Sequence, residues 1–383
     1  MIHNRYRILG GEDVSTREQL DLLRSAGHEV VLLEDSNERV DELGMIRTAA
    51  GAVWSAAARR RVGAALAESR FDLMHVQNFF PLFSPAVYYA AQEHGVPVVQ
   101  SLRNFRQLCP EGMLHRNGAV CTDCVGKAVA WPGIWHSCYR GSARGSAAIA
   151  AMATTHRWAG TWARRVACYV APSEFARNVY VAGGWDGSKI EVIPNFVFPD
   201  PQQGPGDGGF ALFVGRLAAV KGLDTLLEAW QQGGVDFPLR IVGDGPLRSQ
   251  VQEVAETNPN VDYLGVKDHS DVVRLMGDAS LVVVPTRGIE SFGRVVVESM
   301  ARGTPAVVAD HGGLAEVVSG SGAGLLFPPG DAATLADRVR QLIADVDRLA
   351  AMRLIAREVY LERYTGDVAL NRWMGLYASV IGG

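Results

Sequence analysis

Four strand-to-helix corners of this sequence carry glycine, and two of them also carry a cation. The first reads Gly10-Gly11-Glu12-Asp13, and the second Gly215-Arg216 with Lys221-Gly222 opening the next helix. The third is Gly243-Asp244-Gly245-Pro246, and the fourth runs Gly288-Ile289-Glu290-Ser291-Phe292-Gly293 into Arg294. Glycine permits tight turns, and the open N–H groups of a helix N-terminus attract anions. Any one such corner is more often only a turn. Four in one chain, with Arg216 and Lys221 among them, point to a diphosphate ligand. Lysine is rare here: Lys127, Lys189, Lys221 and Lys267 are the whole set among 37 basic residues, so a lysine at 221 departs from the habit of the chain. Neither G-x-G-x-x-G nor the Walker A pattern stands in its required context, which removes support for a plain NAD enzyme or a P-loop NTPase.

A second group of reactive side chains lies in the first half. Cys109, Cys121, Cys124 and Cys138 cluster within one irregular stretch, and Cys121-x-x-Cys124 has the spacing of metal ligands. The four suit a structural zinc site that tethers a loop without its own core. They equally suit reduced thiols packed in that loop. Trp131, Trp135, Trp158 and Trp162 fall nearby with Arg157, Arg164 and Arg165, and Arg59-Arg60-Arg61 follows Trp54. Interleaved Trp and Arg fit an anionic membrane surface or a lipid-linked acceptor. They also fit helices packed on a sheet with a solvated arginine rim, and the small net charge of this half favours that second reading.

These side chains need a scaffold, and apolar runs alternate with amphipathic ones in the rhythm of doubly wound α/β units. Strands are expected at 29–33, 71–76, 96–102, 167–171 and 190–194, then at 210–214, 239–242, 261–264, 281–285, 305–309 and 324–327. Helices are expected near 14–26, 54–69, 85–94 and 173–182, with a helical end from about 331. The segment 104–145 interrupts the rhythm as a Cys- and Trp-rich excursion. Residues 198–209, FPDPQQGPGDGG, read as an interdomain linker. The fold class is therefore α/β, with two Rossmann-like domains facing a central cleft. The expected divisions are 1–196, 197–366, and a terminal helix 367–383 returning to the first domain.

With 383 residues, 48% of them apolar and 20% charged, the chain can bury a sizeable core and is not disordered. Its net charge of −4 argues against a nucleic-acid binder. Residues 1–196 carry 21 basic and 18 acidic side chains, and the remainder 16 and 23. No run is long enough to span a bilayer and no secretory signal opens the chain. Five cysteines suit a reducing compartment. The expected location is cytoplasmic, with the inner face of the membrane as a further option.

The segments FVGRLAAVKGLDTLLEAW, IVGDGPLRSQV and VPTRGIESFGRVVVESMARGTPAVVAD resemble the donor domain of glycosyltransferase family 4. In the first half HNRYRILGGED, LLRSAGHEVVLLE, FDLMHVQNFFPLFSPAVY and RQLCPEGMLHRNGAVCTDC resemble a subgroup of the same family with a Cys-rich insertion. The resemblance implies the GT-B fold and transfer from a nucleotide-diphosphate sugar with retention of configuration. It matches Glu290 and Glu298 to the family's E-x7-E motif: Glu298 for ribose hydroxyls, Glu290 for the transferring sugar. Backbone at Ser291, Phe292, Gly293, Arg294 and Val295 would assist. Arg216 and Lys221, beside Gly215 and Gly245, would hold the leaving diphosphate, so that no cofactor is required for catalysis. Val266 and Lys267 would lie near the base, and Gly11 near the phosphates. Arg103 stands where the family has a sugar-contacting histidine, so the catalytic histidine has no counterpart here. Arginine cannot act as a base near neutral pH, and Arg103 is expected to bind an anion, the diphosphate ahead of a carboxylate on an unusual donor such as a uronic acid, or else to pair with Glu111 or Asp123. Because the chain opens at MIHNRY, the family's first strand is expected to be truncated or largely missing. The acceptor (glycan, lipid-linked or small molecule) is not named by the sequence. Another GT-B nucleotide-sugar enzyme and a non-catalytic nucleotide-sugar binder are the alternatives.

Overall fold

The computed structural model describes residues 1–7 and 10–382. Ile8 and Leu9, within the motif HNRYRILGGED, and the terminal Gly383 lie outside the described residues. The chain divides into two compact units.

The first unit takes in residues 1–116, 121–194 and 369–382. Its sheet strands are β1 (Ile2–Arg5), β2 (Leu33–Ser36), β3 (Met74–Asn78) and β4 (Val98–Ser101). The excursion carries the two-residue strands β5 (His115–Arg116) and β6 (Ala119–Val120). The sheet then closes with β7 (Cys168–Ala171) and β8 (Ile190–Val192), in the order β2-β1-β3-β4-β7-β8, all parallel. The first strand is thus present as four residues paired on both sides. The second shifts from the expected 29–33 to Leu33–Ser36, because β1 offers partners from Ile2 on, opposite Leu33. The apolar run EVVLL drew the strand there, but Val31 is 41% exposed and the ladder decides which residues are strand.

The excursion holds helix Trp131–Trp135, and helix Ala143–Trp158 begins at its end and runs past it. The longer one is rich in alanine and lacks a continuous apolar stripe, so periodicity does not announce it. Helix Met45–Val53 also escaped the sequence reading. Residues 369–382 lay Ala369, Trp373, Leu376 and Tyr377 into the core of this unit.

The second unit takes in Asn117–Val120 and Asn195–Val368. Its strands are β9 (Ala211–Val214), β10 (Leu239–Val242), β11 (Val261–Gly265), β12 (Leu281–Val284), β13 (Ala306–Ala309) and β14 (Gly324–Phe327). They form a parallel sheet in the order β11-β10-β9-β12-β13-β14. Both faces are covered, as near-continuous Val and Ile runs require. One layer gathers Leu223, Leu226, Trp230, Val251 and Leu335 over the sheet; the other gathers Phe292, Val296, Val297, Met300 and Tyr360. The order reverses at β9, and the crevice between the C-terminal ends of β9 and β12 is the ligand position of such sheets.

The Pro- and Gly-rich segment 198–209 is not a free connector. Gly204, Gly206 and Gly208 donate their N–H groups to the carbonyls of Arg302, Gly277 and Asp278. Arg353 Nη2 donates to Gly204 O at 2.9 Å, and Arg357 grips both oxygens of Asp200 at 2.8 and 2.6 Å. Composition alone reads such a segment as a linker because backbone pairing leaves no trace in it.

Candidate active site

Two loops meet at the strand-order reversal of the second unit. After β9 the chain turns through Gly215 and Arg216, and a short 3-10 turn Ala219–Lys221 ends at Gly222. After β12, Arg287 and Gly288 both donate N–H to Val220 O, at 2.9 and 3.1 Å. Gly222 has φ +70°, and a Cβ there would stand 1.7 Å from Pro285 O. Only glycine lets the two loops approach this closely. Arg287 adds a side-chain tie, pairing with Asp224 at 2.8 Å and donating to Thr225 Oγ1.

This closure brings Lys221 and Glu290 together. Lys221 Nζ donates to Glu290 Oε1 at 2.6 Å, and Thr286 Oγ1 donates to the same oxygen at 3.1 Å. The side chains are 28% and 19% exposed, so the pair is neither fully solvated nor sealed. From below, Gly313 N–H donates to Glu290 O at 2.9 Å. His311 Nε2 lies 2.6 Å from Thr286 O. The sequence reading assigned Lys221 and Glu290 to different parts of one ligand; the structure pairs them directly. It missed Thr286, in the loop just after β12, and His311 and Gly313, whose only signal is the HGG that follows β13.

Arg216 is exposed on the same corner. Its neighbours are fixed by glycine: a Cβ at Gly243 would stand 1.9 Å from Gly215 O, and one at Gly245 2.4 Å from Leu217 O. Val266 and Lys267 are exposed just past β11, two strands from β9 and so about 10 Å along the sheet edge.

Beyond Glu290, helix Arg294–Ala301 opens with Gly293 as N-cap and no side chain capping it. A helix N-terminus at this place favours anions through its dipole. The side chain of Phe292 is only 6% exposed and packs edge-on to Tyr364 at 6.1 Å, so that position can offer backbone but not its ring. Ser291 and Val295 are half-buried beside it. Arg294 Nε lies 2.8 Å from Glu298 Oε1 one helical turn on, both side chains about one-tenth exposed. Glu298 thus sits in a nearly buried ion pair, the competing structural role for a carboxylate at this depth.

In the first unit Gly11 opens helix Gly11–Ser25, and Asp13 accepts from Gly10 N–H at 2.9 Å. Arg103 donates to Gln77 Oε1 through Nη2 at 2.6 Å and Nε at 3.2 Å. Asp123 is paired with Arg116 at 2.8 Å. Gln77, Asn78, Phe80, Arg103, Asn104 and Arg106 line a pocket at the C-terminal ends of β3 and β4. His75 is buried between Tyr377 OH at 2.7 Å and Ser101 Oγ at 2.9 Å. Burial, and then the Arg103 charge, hold its pKa well below the ordinary histidine value.

Cys109 and Cys124 are buried, Cys121 and Cys138 half-buried, and all four are free thiols. Burial pushes the Cys124 thiol up to about 11, with the charges of Cys109, Cys138 and Cys121 adding to it. Among the described residues no three His, Cys, Asp or Glu side chains are arranged to hold a metal ion.

Two doubly wound parallel sheets in succession, the second with its polar corner at the strand-order reversal, define a GT-B protein. Among solved structures, HepE of Anabaena in complex with UDP-glucose matches with a TM-score of 0.67 at 19% identity, over 99% of this chain and 100% of that one. The "Glycosyl transferase 4-like domain" model matches residues 10–195 and the "Glycosyl transferases group 1" model residues 198–359. The chain belongs to the family-4 type of glycosyltransferases. A phosphatidyl-myo-inositol mannosyltransferase of Mycobacterium leprae is 34% identical over 57% of this chain and 61% of its own length, less than two thirds of either. The protein of that description in Mycolicibacterium smegmatis is 25% identical over 98% of this chain and 92% of its own.

Proposed function

We propose that this chain transfers a sugar from a nucleotide-diphosphate sugar to an acceptor hydroxyl with retention of configuration. The observation that carries the reading is the Lys221–Glu290 pair at the strand-order reversal, with Arg216 exposed on the same corner. An ammonium has three donors, so Lys221 can keep Glu290 and still take a phosphate oxygen. Arg216 supplies a second fixed cation. As the glycosidic bond breaks, negative charge grows on the departing diphosphate, and cations already in place stabilise it without reorganising. Glu290, anchored by Lys221 and Thr286, is held to accept from hydroxyls of the sugar. Glu298 serves the ribose through the oxygen that does not face Arg294, and the backbone after β11, at Val266 and Lys267, lies toward the base. The UDP-glucose complex of HepE makes UDP the first nucleotide to test.

The test pairs UDP titration with turnover of UDP-sugars. Lys221→Ala and Arg216→Ala are each expected to lower kcat/KM at least about tenfold, roughly 1.4 kcal/mol of transition-state stabilisation. Wild-type turnover in either variant removes that residue from the diphosphate site. Nucleotide binding by the wild type without any turnover, across the common nucleoside diphosphate sugars, would make the chain a binder instead.

A further inference from the structure

Helix Ala143–Trp158 of the first unit packs against helix Met45–Val53 and against helix Trp131–Trp135. This group leaves large apolar side chains in water: Met45 is 73% exposed, Ile46 86%, Trp131 58%, Trp135 79% and Trp158 72%. By contrast Trp162 is 6% and Trp373 3% exposed, while Trp54, directly after helix Met45–Val53, is 40% exposed. A single exposed apolar side chain is ordinary, but several on packed neighbouring helices mark an interaction surface.

The charge around them is one-sided. From Cys124 to Ser173 there is no Asp or Glu, although the chain has 41 in 383 residues, and the same stretch holds Lys127, Arg140, Arg144, Arg157, Arg164 and Arg165. Residues 43–67, which include helix Met45–Val53, also lack acid and carry Arg47, Arg59, Arg60 and Arg61. Lys127, Arg140, Arg144 and Arg47 are exposed. Lys127 Nζ lies 5.9 Å from the centre of the Trp131 ring, so cation and indole already share one patch. The exposed positions between them on the long helix are small: Ala143, Ala151 and Thr155.

We infer that this three-helix face docks on an anionic lipid bilayer, with the exposed tryptophans in the headgroup layer and the flanking cations on lipid phosphates. Indole is suited to that depth, where its ring is apolar and its N–H stays wet. Arginine and lysine next to it meet anionic headgroups with no carboxylate to repel them. None of the described helices is long and apolar enough to cross a membrane, so the contact is peripheral. The solvated arginine rim read from the sequence accounts for the cations but not for three indoles and an Ile-Met pair in water. The modest charge of the whole half conceals the patch, because its acids lie elsewhere along the chain.

The experiment is co-sedimentation of the full chain with vesicles of phosphatidylglycerol mixed equally with phosphatidylcholine, and with phosphatidylcholine alone. The wild type is expected to sediment with the first and not the second. Trp135→Ser with Trp158→Ser, and separately Arg140→Glu with Arg144→Glu, are expected to weaken binding about tenfold or more. All four positions are exposed, and circular dichroism melts confirm that the variants fold. In the wild type, tryptophan fluorescence is expected to be quenched by brominated lipid, which needs no variant. Binding to neither vesicle, equal binding to both, or absence of quenching overturns the proposal. So does a lipid-free dimer in sedimentation velocity that the tryptophan variant disperses, which would make the face a contact between copies. Tight binding of a single-stranded oligonucleotide, lost in the arginine variant and competing with vesicles, would assign it to nucleic acid.

Discussion

Lys221 and Glu290 neutralise one another across 2.6 Å, so each holds the other's geometry as well as its own task. On the proposed reading, removing Glu290 should therefore disturb the proposed diphosphate site and not the sugar alone. Glu290→Gln is expected to weaken UDP binding measurably, whereas a carboxylate that only met the sugar would leave UDP affinity unchanged in calorimetry. Because the proposed leaving-group cations are side chains, turnover is expected to persist in EDTA. Loss of turnover on chelation, with the melting temperature intact, would show that a metal shares the work. At Glu298 the ion pair with Arg294 complicates the usual alanine test, since truncation strands a nearly buried guanidinium at a cost of about 3–5 kcal/mol. Glu298→Gln keeps the shape and one acceptor oxygen. It is expected to reduce UDP affinity by about 1–2 kcal/mol with a smaller loss of stability. Equal UDP affinity in wild type and Glu298→Gln would leave the residue a structural role only.

At the scale of elements, the site depends on how closely the loops after β9 and β12 approach. Gly222 is the test position, with φ +70° and no room for a Cβ against Pro285 O. Gly222→Ala must move backbone, and it is expected to cost more than about 2 kcal/mol and to separate Lys221 from Glu290. Gly209→Ala is the control, with φ +66° but nothing within 4 Å of the added Cβ. It carries only the conformational penalty, about 1 kcal/mol. Thermal melts of the two variants side by side separate crowding from strain. If Gly222→Ala melts no lower than Gly209→Ala, the loops are not locked at that point. The segment 198–209 makes a related point. Arg357 accounts for the lowered pKa of Asp200 by direct hydrogen bonding, so their contact, tying the segment to helix Val346–Arg363, is sustained above the carboxylate range.

For the molecule as a whole, buried histidines set the acid limit of stability. Burial holds His75 well below 6.5, with Arg103 adding to it, and burial also lowers His156. The unfolded chain takes up protons at these positions as pH falls through 6.5, while the folded chain does not. At these two positions the unfolded state then binds more protons, so their contribution to stability is flat above that pH and falls below it. The slope can approach about 1.4 kcal/mol per pH unit for each such histidine. Urea midpoints of the wild type are expected to drop from about pH 6.5 downward. His75→Gln, though less stable at neutral pH, should show a shallower decline. A parallel decline in both proteins would clear His75 of this role. The group also secures the C-terminal residues, since Tyr377 OH bonds His75 and Gln19, and Trp373 packs on the imidazole at 5.0 Å.

The sequence by itself determined the alternating strands and helices, the glycine corners and the carboxylates and cations at them. Each follows from local rules: burial sets the period, backbone freedom places glycine, and charge stays where solvent or a partner can reach it. β10 falls where the apolar run placed it because buried parallel strands are continuous in Val, Ile and Leu, and the edge strand β14 also coincides with its apolar run. Only the tertiary structure decided which of these residues meet. The Lys221–Glu290 pair spans 69 positions, the His75–Tyr377 bond 302, and the Arg357 grip on Asp200 157. Pairings over such separations depend on strand order and register, which no local pattern encodes. The ladder likewise moved β2 onto Leu33–Ser36 and bound the Pro-Gly segment to the second unit, because backbone hydrogen bonds are indifferent to side-chain type. Helix Ala143–Trp158 belongs with these: its place between two other helices, and the exposure of its tryptophan, follow from packing rather than from composition.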